Sequence, residues 1–438
     1  MNRRELLKLL AAASLAGAPP GFASQAEHKI DSDDEALLDD IERRGCLFFA
    51  EQASATTGQV LDRARWDNTT GEIDPRRMAS IAATGFGLTA LCIADRRGYQ
   101  PHAQIVEQVR RTLRFHCDSL ANTHGFYCHF NDRETGDPWH GSEISSIDTA
   151  LLLCGVLTAR SYFRHDHEIV RFATTIYERI EWPWMLNGGQ MFSMGVRNGK
   201  FLDARWNHYC ELMMLYLLAL GSPTHPIDAA CWDTWSRPEM HYDGFTYISA
   251  ADPLFVHQYS HAWYDFRNKR DKFADYFANS VTATRAHEAF CLSLGKPYSQ
   301  DYWGISASDS AHGYTAWGGP GMPDHAGDAN RSPKEGFGGI DGSVVPYATA
   351  GSLPFLPADC LRVQRSLKEK YGARAYGRYG FRDAFHPEAN WYDADVLGID
   401  LGITVLMAEN LRTGFVWKTF GRNPEVPRAM RRAGFKRS

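Results

Sequence analysis

Four carboxylates stand in surroundings that would change how tightly they hold a proton. Glu211, in the run Trp206-Asn207-His208-Tyr209-Cys210-Glu211-Leu212-Met213, opens an apolar stretch that continues to Leu220. A carboxyl at the head of such a segment is poorly hydrated, which disfavours its charged form and raises its pKa as a general acid requires. The competing reading is a helix-terminal glutamate satisfied by backbone or by a neighbouring arginine. Asp148, in Ser145-Ser146-Ile147-Asp148-Thr149-Ala150, begins another strongly apolar segment, after a loop bearing His129, Asp132, Trp139 and Glu143; its alternative role is a helix N-cap. Asp383 follows Arg382, and Asp400 stands in Gly398-Ile399-Asp400-Leu401-Gly402 at the start of the last long apolar run. Either could serve as a base, and either could instead cap a helix or pair with Arg382. Acids of this kind are what breaks a glycosidic bond, one protonating the leaving oxygen while a second assists the attack.

Such residues need elements to hold them in place. From Glu35 onward apolar residues recur at helical spacing, while period-2 alternation is confined to short pieces such as 125–130. The pattern predicts helices near 35–52, 76–97, 103–119, 146–163, 167–181, 207–220, 227–235, 269–294, 343–352, 357–371, 398–412 and 424–433. Long connections rich in Gly, Trp, Tyr, His and Asp separate them, at 54–75, 121–145, 184–206, 236–268, 297–342 and 373–397. Loops of that length in a compact domain usually carry function. They fall at roughly every second helix boundary, so the expectation is all-α: a single (α/α)6 toroid over residues 27–438, its elaborate loops gathered at one end.

Several function classes drop out. With Lys+Arg 47 against Asp+Glu 52 the net charge is -5, which argues against a nucleic-acid partner. His257-Gln258-Tyr259-Ser260-His261 has the histidine spacing of a zinc protease helix but lacks its catalytic Glu, and the aspartates from Asp31 to Asp40 read as a solvated helix start. The nine cysteines form no C-x-x-C pair and sit mostly in apolar segments, as buried free thiols do. No metal or cofactor is indicated. Arg3-Arg4 before the apolar run from Leu9 to Ala18, with small residues around Ala23–Ala26, makes residues 1–26 an expected twin-arginine-type export signal. The mature chain is then expected in a periplasm, without membrane insertion.

The run from Pro253 to Trp263 is followed by Asp265-Phe266-Arg267 and by Tyr276-Phe277-Ala278-Asn279-Ser280. Together with Trp303 to Asp309, Asp341-Gly342, Ser352-Leu353-Pro354-Phe355, and Glu409-Asn410 with Trp417, it closely resembles the glycoamylase-like domain. The likeness extends upstream through 146–153 and 209–225. The resemblance implies an (α/α)6 barrel acting on glucans, most specifically on β-1,2-glucan or its oligosaccharides. In the related domain of cyclic β-1,2-glucan synthases, which transglycosylates, a Glu stands where this chain has Ala307. That departure favours an inverting hydrolase over a retaining transglycosylase. By resemblance Glu211 is the general acid, and Asp400, ahead of Asp383, the base. Asp148 and Glu143 would hold sugar hydroxyls. Trp66, Trp139, Trp206, Trp263, Tyr314 and Trp391 would offer stacking faces, and His129, His257, Gln258, His261 and Arg267 polar contacts. A polysaccharide lyase using the histidines near 257 and 261 with Arg267, and a non-catalytic glycan binder, are the alternatives.

Overall fold

The computed structural model describes residues 30–250, 253–320 and 340–438. The expected export signal lies outside them. Fourteen α-helices dominate the described residues: α1 (Ser32–Glu51), α2 (Ile81–Arg97), α3 (His102–Asp118), α4 (Ser146–Tyr162), α5 (His167–Glu178), α6 (Trp182–Met185), α7 (Met213–Gly221), α8 (Tyr259–Trp263), α9 (Tyr276–Ser293), α10 (Pro346–Ala350), α11 (Pro357–Tyr371), α12 (Gly398–Thr413), α13 (Phe415–Phe420) and α14 (Glu425–Arg432). None of them is long and apolar enough to cross a membrane.

Burial separates two kinds of helix. α7, α8 and α10 are buried along their whole length, and α2, α4 and α12 on nearly every face. Others bury one stripe: α3 does so through Ile105, Gln108, Val109, Thr112, Leu113 and His116, the three-and-four spacing of a single helical face. The two kinds alternate along the chain. Striped α1, α3, α5, α9 and α11 precede buried α2, α4, α7, α10 and α12, and the 3-10 turn Ala229–Asp233 precedes α8. Buried helices adjoin one another: α2 packs on α4 and α12, α4 on α7, and both α8 and α10 on α12. Met214 N donates to Ser260 Oγ (3.0 Å) between α7 and α8, and Gln258 Nε2 donates to the Ala348 carbonyl (2.8 Å) of α10. The α2–α4 crossing needs glycine, since a Cβ on Gly155 would lie 2.0 Å from the Gly85 carbonyl.

At one end the starts of the buried helices meet short antiparallel ribbons that tie distant loops together. Arg63–Arg65 pairs with Asp395–Leu397, with Ala64 opposite Val396, and Met78–Ser80 pairs with Phe130–Asp132. Ile81 N donates to the His129 carbonyl (3.2 Å), and Gly398 N to that of Asp62 (2.7 Å).

The differences from the sequence expectation are local. The helix expected from 207 begins at Met213, the one from 269 at Tyr276 and the one from 76 at Ile81, because residues just before them are spent on ribbons and turns. The stretch at 227–235 is 3-10, and α6, α8 and α13 are too short to show a period. All nine cysteines are free, seven of them buried.

Candidate active site

Two groups of acids lie at the loop end. The first is built on the starts of α4 and α7. Ser145 Oγ caps α4 by accepting from Asp148 N (3.2 Å) and donates to Asp148 Oδ2 (2.5 Å), so Asp148 is held in the first turn and the cap is Ser145. A charge chain leads outward from it: His129 Nε2 lies 3.4 Å from Asp148 Oδ1, His129 Nδ1 3.2 Å from Glu143 Oε1, and Arg197 Nη2 3.0 Å from Glu143 Oε2. The His129 contact, with Arg197, holds Glu143 down to about 2 against burial. Burial disfavours the imidazolium of His129, but Asp148 and Glu143 outweigh it and raise its pKa.

Glu211 sits two residues before α7 rather than inside it. Its carbonyl accepts from Ser260 Oγ (2.6 Å), which fixes the bend that presents the side chain. The half-buried carboxyl is pushed up to about 7, chiefly by loss of water and further by the charge of Asp148.

The second group gathers Asp62 and Arg63 from one loop, Asp309 from another, and Asp383, Asp393, Asp395 and Asp400 from the stretch that leads into α12. Arg63 Nη1 meets Asp309 Oδ2 at 2.6 Å and its Nε meets Asp62 Oδ2 at 3.1 Å, while Arg76 takes Asp395 (2.7 Å). Asp383 Oδ2 accepts from Asp309 N (2.7 Å). Burial raises Asp383 well above the usual carboxylate range, and the neighbouring Asp400 adds to it. Asp400 is pushed up to about 7 by burial, moderated by a hydrogen bond from Asp383. Burial and then Asp383 push Asp393 up to about 8. Within this pair Asp383 keeps the proton and Asp400 gives its own up first.

One tyrosine joins the two groups. The Tyr259 hydroxyl, 3.5 Å from Asp400 Oδ1, is raised by burial and by Asp400, Tyr314, Glu211 and Asp383 together, so acids of both groups face it. Tyr314 is also here: its side chain is 50% exposed, yet its hydroxyl feels Asp400, Asp383, Asp62 and Asp309. The arrangement offers an acid protonated near neutrality across from a carboxylate that ionises near neutrality.

Other expected contacts are placed elsewhere. His257, Gln258, His261 and Trp263 are buried among protein partners, so their expected role in holding sugar is replaced by an interior one. His257 Nδ1 bonds the Tyr209 hydroxyl (3.2 Å), Gln258 Nε2 the Ser352 hydroxyl (2.8 Å), His261 Nε2 the Ser280 hydroxyl (3.1 Å), and Trp263 Nε1 donates to Thr89 Oγ1 (3.0 Å). Arg267 is clamped by Asp265 (2.9 Å) and stacks 4.0 Å over Trp417, beyond the far end of α8. Trp206 is buried, its Nε1 donating to Ser146 Oγ (2.9 Å), and Trp66 lies under Arg382 at 3.6 Å. Trp139 and Trp391 are half-buried on loops at the site end. Sequence reasoning gave no role to Asp62, Arg63, Asp309, Asp393 or Tyr259. The signal available was their place in the long loops and, for Asp309 and Tyr259, in the stretches that carry the resemblance.

Among the described residues, two groups of three have ligand atoms within 4.8 Å of one another, His129–Glu143–Asp148 and Asp309–Asp383–Asp393. In the first, both ring nitrogens of His129 already have carboxylate partners.

Comparison with known proteins shows the family and relatives of the same fold. The family model "Glycoamylase: Putative glucoamylase" matches residues 203–424, half of the chain. A curated exo β-1,2-glucooligosaccharide sophorohydrolase (non-reducing end) from Parabacteroides distasonis is 25% identical, over 91% of this chain and 58% of that protein. The chain therefore spans less than two thirds of that relative. The endo-β-1,2-glucanase of Chitinophaga pinensis, solved with sophorotriose and glucose, superposes with a TM-score of 0.82 at 25% identity, covering 92% of this chain and 98% of that one. A β-1,2-glucanase from Parabacteroides distasonis shares the fold, with a TM-score of 0.81 at 22% identity over 92% of this chain and 60% of its own.

Proposed function

The chain belongs to the glycoamylase-like family, and on that premise we propose that it is a glycoside hydrolase that cleaves β-1,2-glucan or its oligosaccharides with inversion at the anomeric carbon. The observation that carries this reading is the pairing, around Tyr259, of Glu211, protonated near neutrality, with Asp400, ionised near neutrality beside a proton-holding Asp383. Glu211 donates its proton to the leaving oxygen. Asp400 takes a proton from the attacking water, directly or through a sugar hydroxyl. Ala307 stands on a short ribbon strand, where a retaining relative would carry an acid, so no nucleophile is assigned there. Asp148 and Glu143, held by His129, are assigned to sugar hydroxyls, and Tyr314 to a pyranose face. The lyase alternative loses support, because His257 and His261 are interior and Arg267 lies beyond the far end of α8.

The five alternating pairs of striped and buried helices, with the 3-10 turn and α8 as a sixth, support closure into a single (α/α)6 toroid over residues 27–438. Export through a twin-arginine-type signal remains part of the proposal, and replacing Arg3 and Arg4 with Lys should strand the precursor in the cytoplasm. The functional test is to incubate the protein with linear β-1,2-, β-1,3- and α-1,4-glucans and to follow early products by proton NMR. Cleavage of the β-1,2-linked chain alone with an α-anomer first is expected. A β-anomer first would refute inversion, and inertness toward all three would refute the activity.

A further inference from the structure

Among the described residues, the one guanidinium in ion-pair contact with the side chains of four crowded aspartates, Asp309, Asp383, Asp393 and Asp400, is that of Arg63, since Arg382 reaches only the Asp393 carbonyl. Asp383 is 4% exposed and Asp393 8%, and Asp393 Oδ2 has no hydrogen-bond partner. A buried carboxylate oxygen without a donor is costly, and natural structures satisfy such atoms with a proton, a ligand or an ion. The orientation is imposed from outside the group. Asp309 N holds Asp383 Oδ2 at 2.7 Å, and Asp393 is carried by its own backbone bond, N to the Ala384 carbonyl at 3.0 Å. One oxygen from each of Asp309, Asp383 and Asp393 lies within 4.8 Å of the other two.

We propose that Asp309, Asp383 and Asp393 bind a hard divalent cation of the calcium type. Oxygens on opposite sides of a calcium ion, each at about 2.4 Å, stand about 4.8 Å apart, so all three can reach one ion, with carbonyls or water completing its shell. No imidazole or thiolate belongs to the set, which disfavours zinc and its relatives. The ion supplies the positive charge that Arg63 alone does not. When bound, it takes the place of the proton that Asp383 otherwise holds, and Asp400 is left to act on water. The site itself does not depend on which glycan is cut.

The test uses the full chain stripped with a chelator and needs no substrate. Calcium chloride titrated by calorimetry should bind at one site per chain with a Kd between about 10⁻⁶ and 10⁻³ M and should raise the melting temperature, with magnesium at least tenfold weaker. Asp393→Asn should weaken calcium binding by at least tenfold without lowering the melting temperature of the stripped protein. Asp309→Asn is the second variant, and Asp137→Asn, on an exposed loop, the control. No calcium binding by the wild-type chain up to about 5 mM, or binding unaltered in both Asp393→Asn and Asp309→Asn, overturns the proposal. Calcium binding without glucan cleavage would instead sink the proposed activity and leave this site standing.

Discussion

Two regions of this molecule that bury acids differ in their counter-charge. Where α1, α2 and α12 meet, Glu42 and Glu409 are completely buried. Arg97 grips Glu409 through Nη2 at 2.6 Å and Nε at 2.9 Å, Thr413 donates to Glu409 at 2.5 Å, and Arg412 binds both Glu42 and Glu35. Burial and the nearness of Glu409 still push Glu42 up, but each carboxylate has a guanidinium of its own. At the loop end, Asp309, Asp383, Asp393 and Asp400 share one. The first arrangement ties the first helix to the last long one. The second leaves protons held on carboxylates at neutral pH, which is chemistry in waiting.

The widest separation of the two regions should come from the acids themselves. Glu211→Gln should lower kcat on linear β-1,2-glucan by about two to four orders of magnitude with little change in KM, and Asp400→Asn should act on the same scale. A nearly active Glu211→Gln enzyme would remove Glu211 from the acid's role. Next in size, Arg412→Met takes from Glu42 its nearest guanidinium, leaving the Tyr99 hydroxyl (3.3 Å) and Arg97 (3.6 Å), and should cost about 3–5 kcal/mol of stability, read by denaturant unfolding, while kcat at low temperature is kept. Asp393→Asn in stripped protein should not destabilise at neutral pH, because the amide replaces a carboxyl that burial already keeps protonated. If both variants lose stability equally, the contrast between the regions is wrong.

A smaller effect is expected with pH. Glu211 must hold its proton and Asp400 must have lost its own, so kcat/KM should be bell-shaped, falling as pH rises through the pKa of Glu211, about 7, and falling again as pH drops through that of Asp400, also about 7. Stability should follow a related course. These carboxyls and Asp393 bind protons in the fold that the unfolded chain has already released, so the free energy of unfolding should decline from pH 6.5 to 8. The buried histidines His116, His261 and His287, lowered by burial to about 4, 3 and 3, act the other way below their ordinary pKa, so the test is confined to the higher window. The smallest change is predicted for Tyr314→Ala: KM should rise about fivefold, roughly 1 kcal/mol, with kcat nearly unchanged.

How far this was legible in the sequence depended on length and neighbours. Striped and buried helices of twelve or more residues announce themselves by period, and so α1 to α5, α9, α11 and α12 are located within a few residues. α8 has five residues after a 3-10 turn and carries no period, so His257 to His261 read as loop side chains free to meet a ligand when they are packed inside. Glu211 and Asp400 were readable because each stands beside a long apolar run. Asp62, Asp309 and Asp393 were not, since they reach the site only through pairings between loops far apart in sequence, such as Arg63–Arg65 with Asp395–Leu397. The rings divide the same way: nothing local distinguishes buried Trp263 from half-exposed Tyr314.

Asp148 and Asp400 share one more property: each is the third residue of its helix, and α4 and α12 both start at the site. The aligned peptide dipoles of a helix place roughly half a positive charge at that end. This helps Asp400 ionise against its burial, but it opposes the positive charge that develops on a sugar ring as its glycosidic bond breaks. A fold whose helices point this way starts with an electrostatic potential of the wrong sign for the proposed reaction. Carboxylates ionised at neutral pH, such as Glu143, offset that potential, so they bear on the height of the barrier as well as on the holding of substrate.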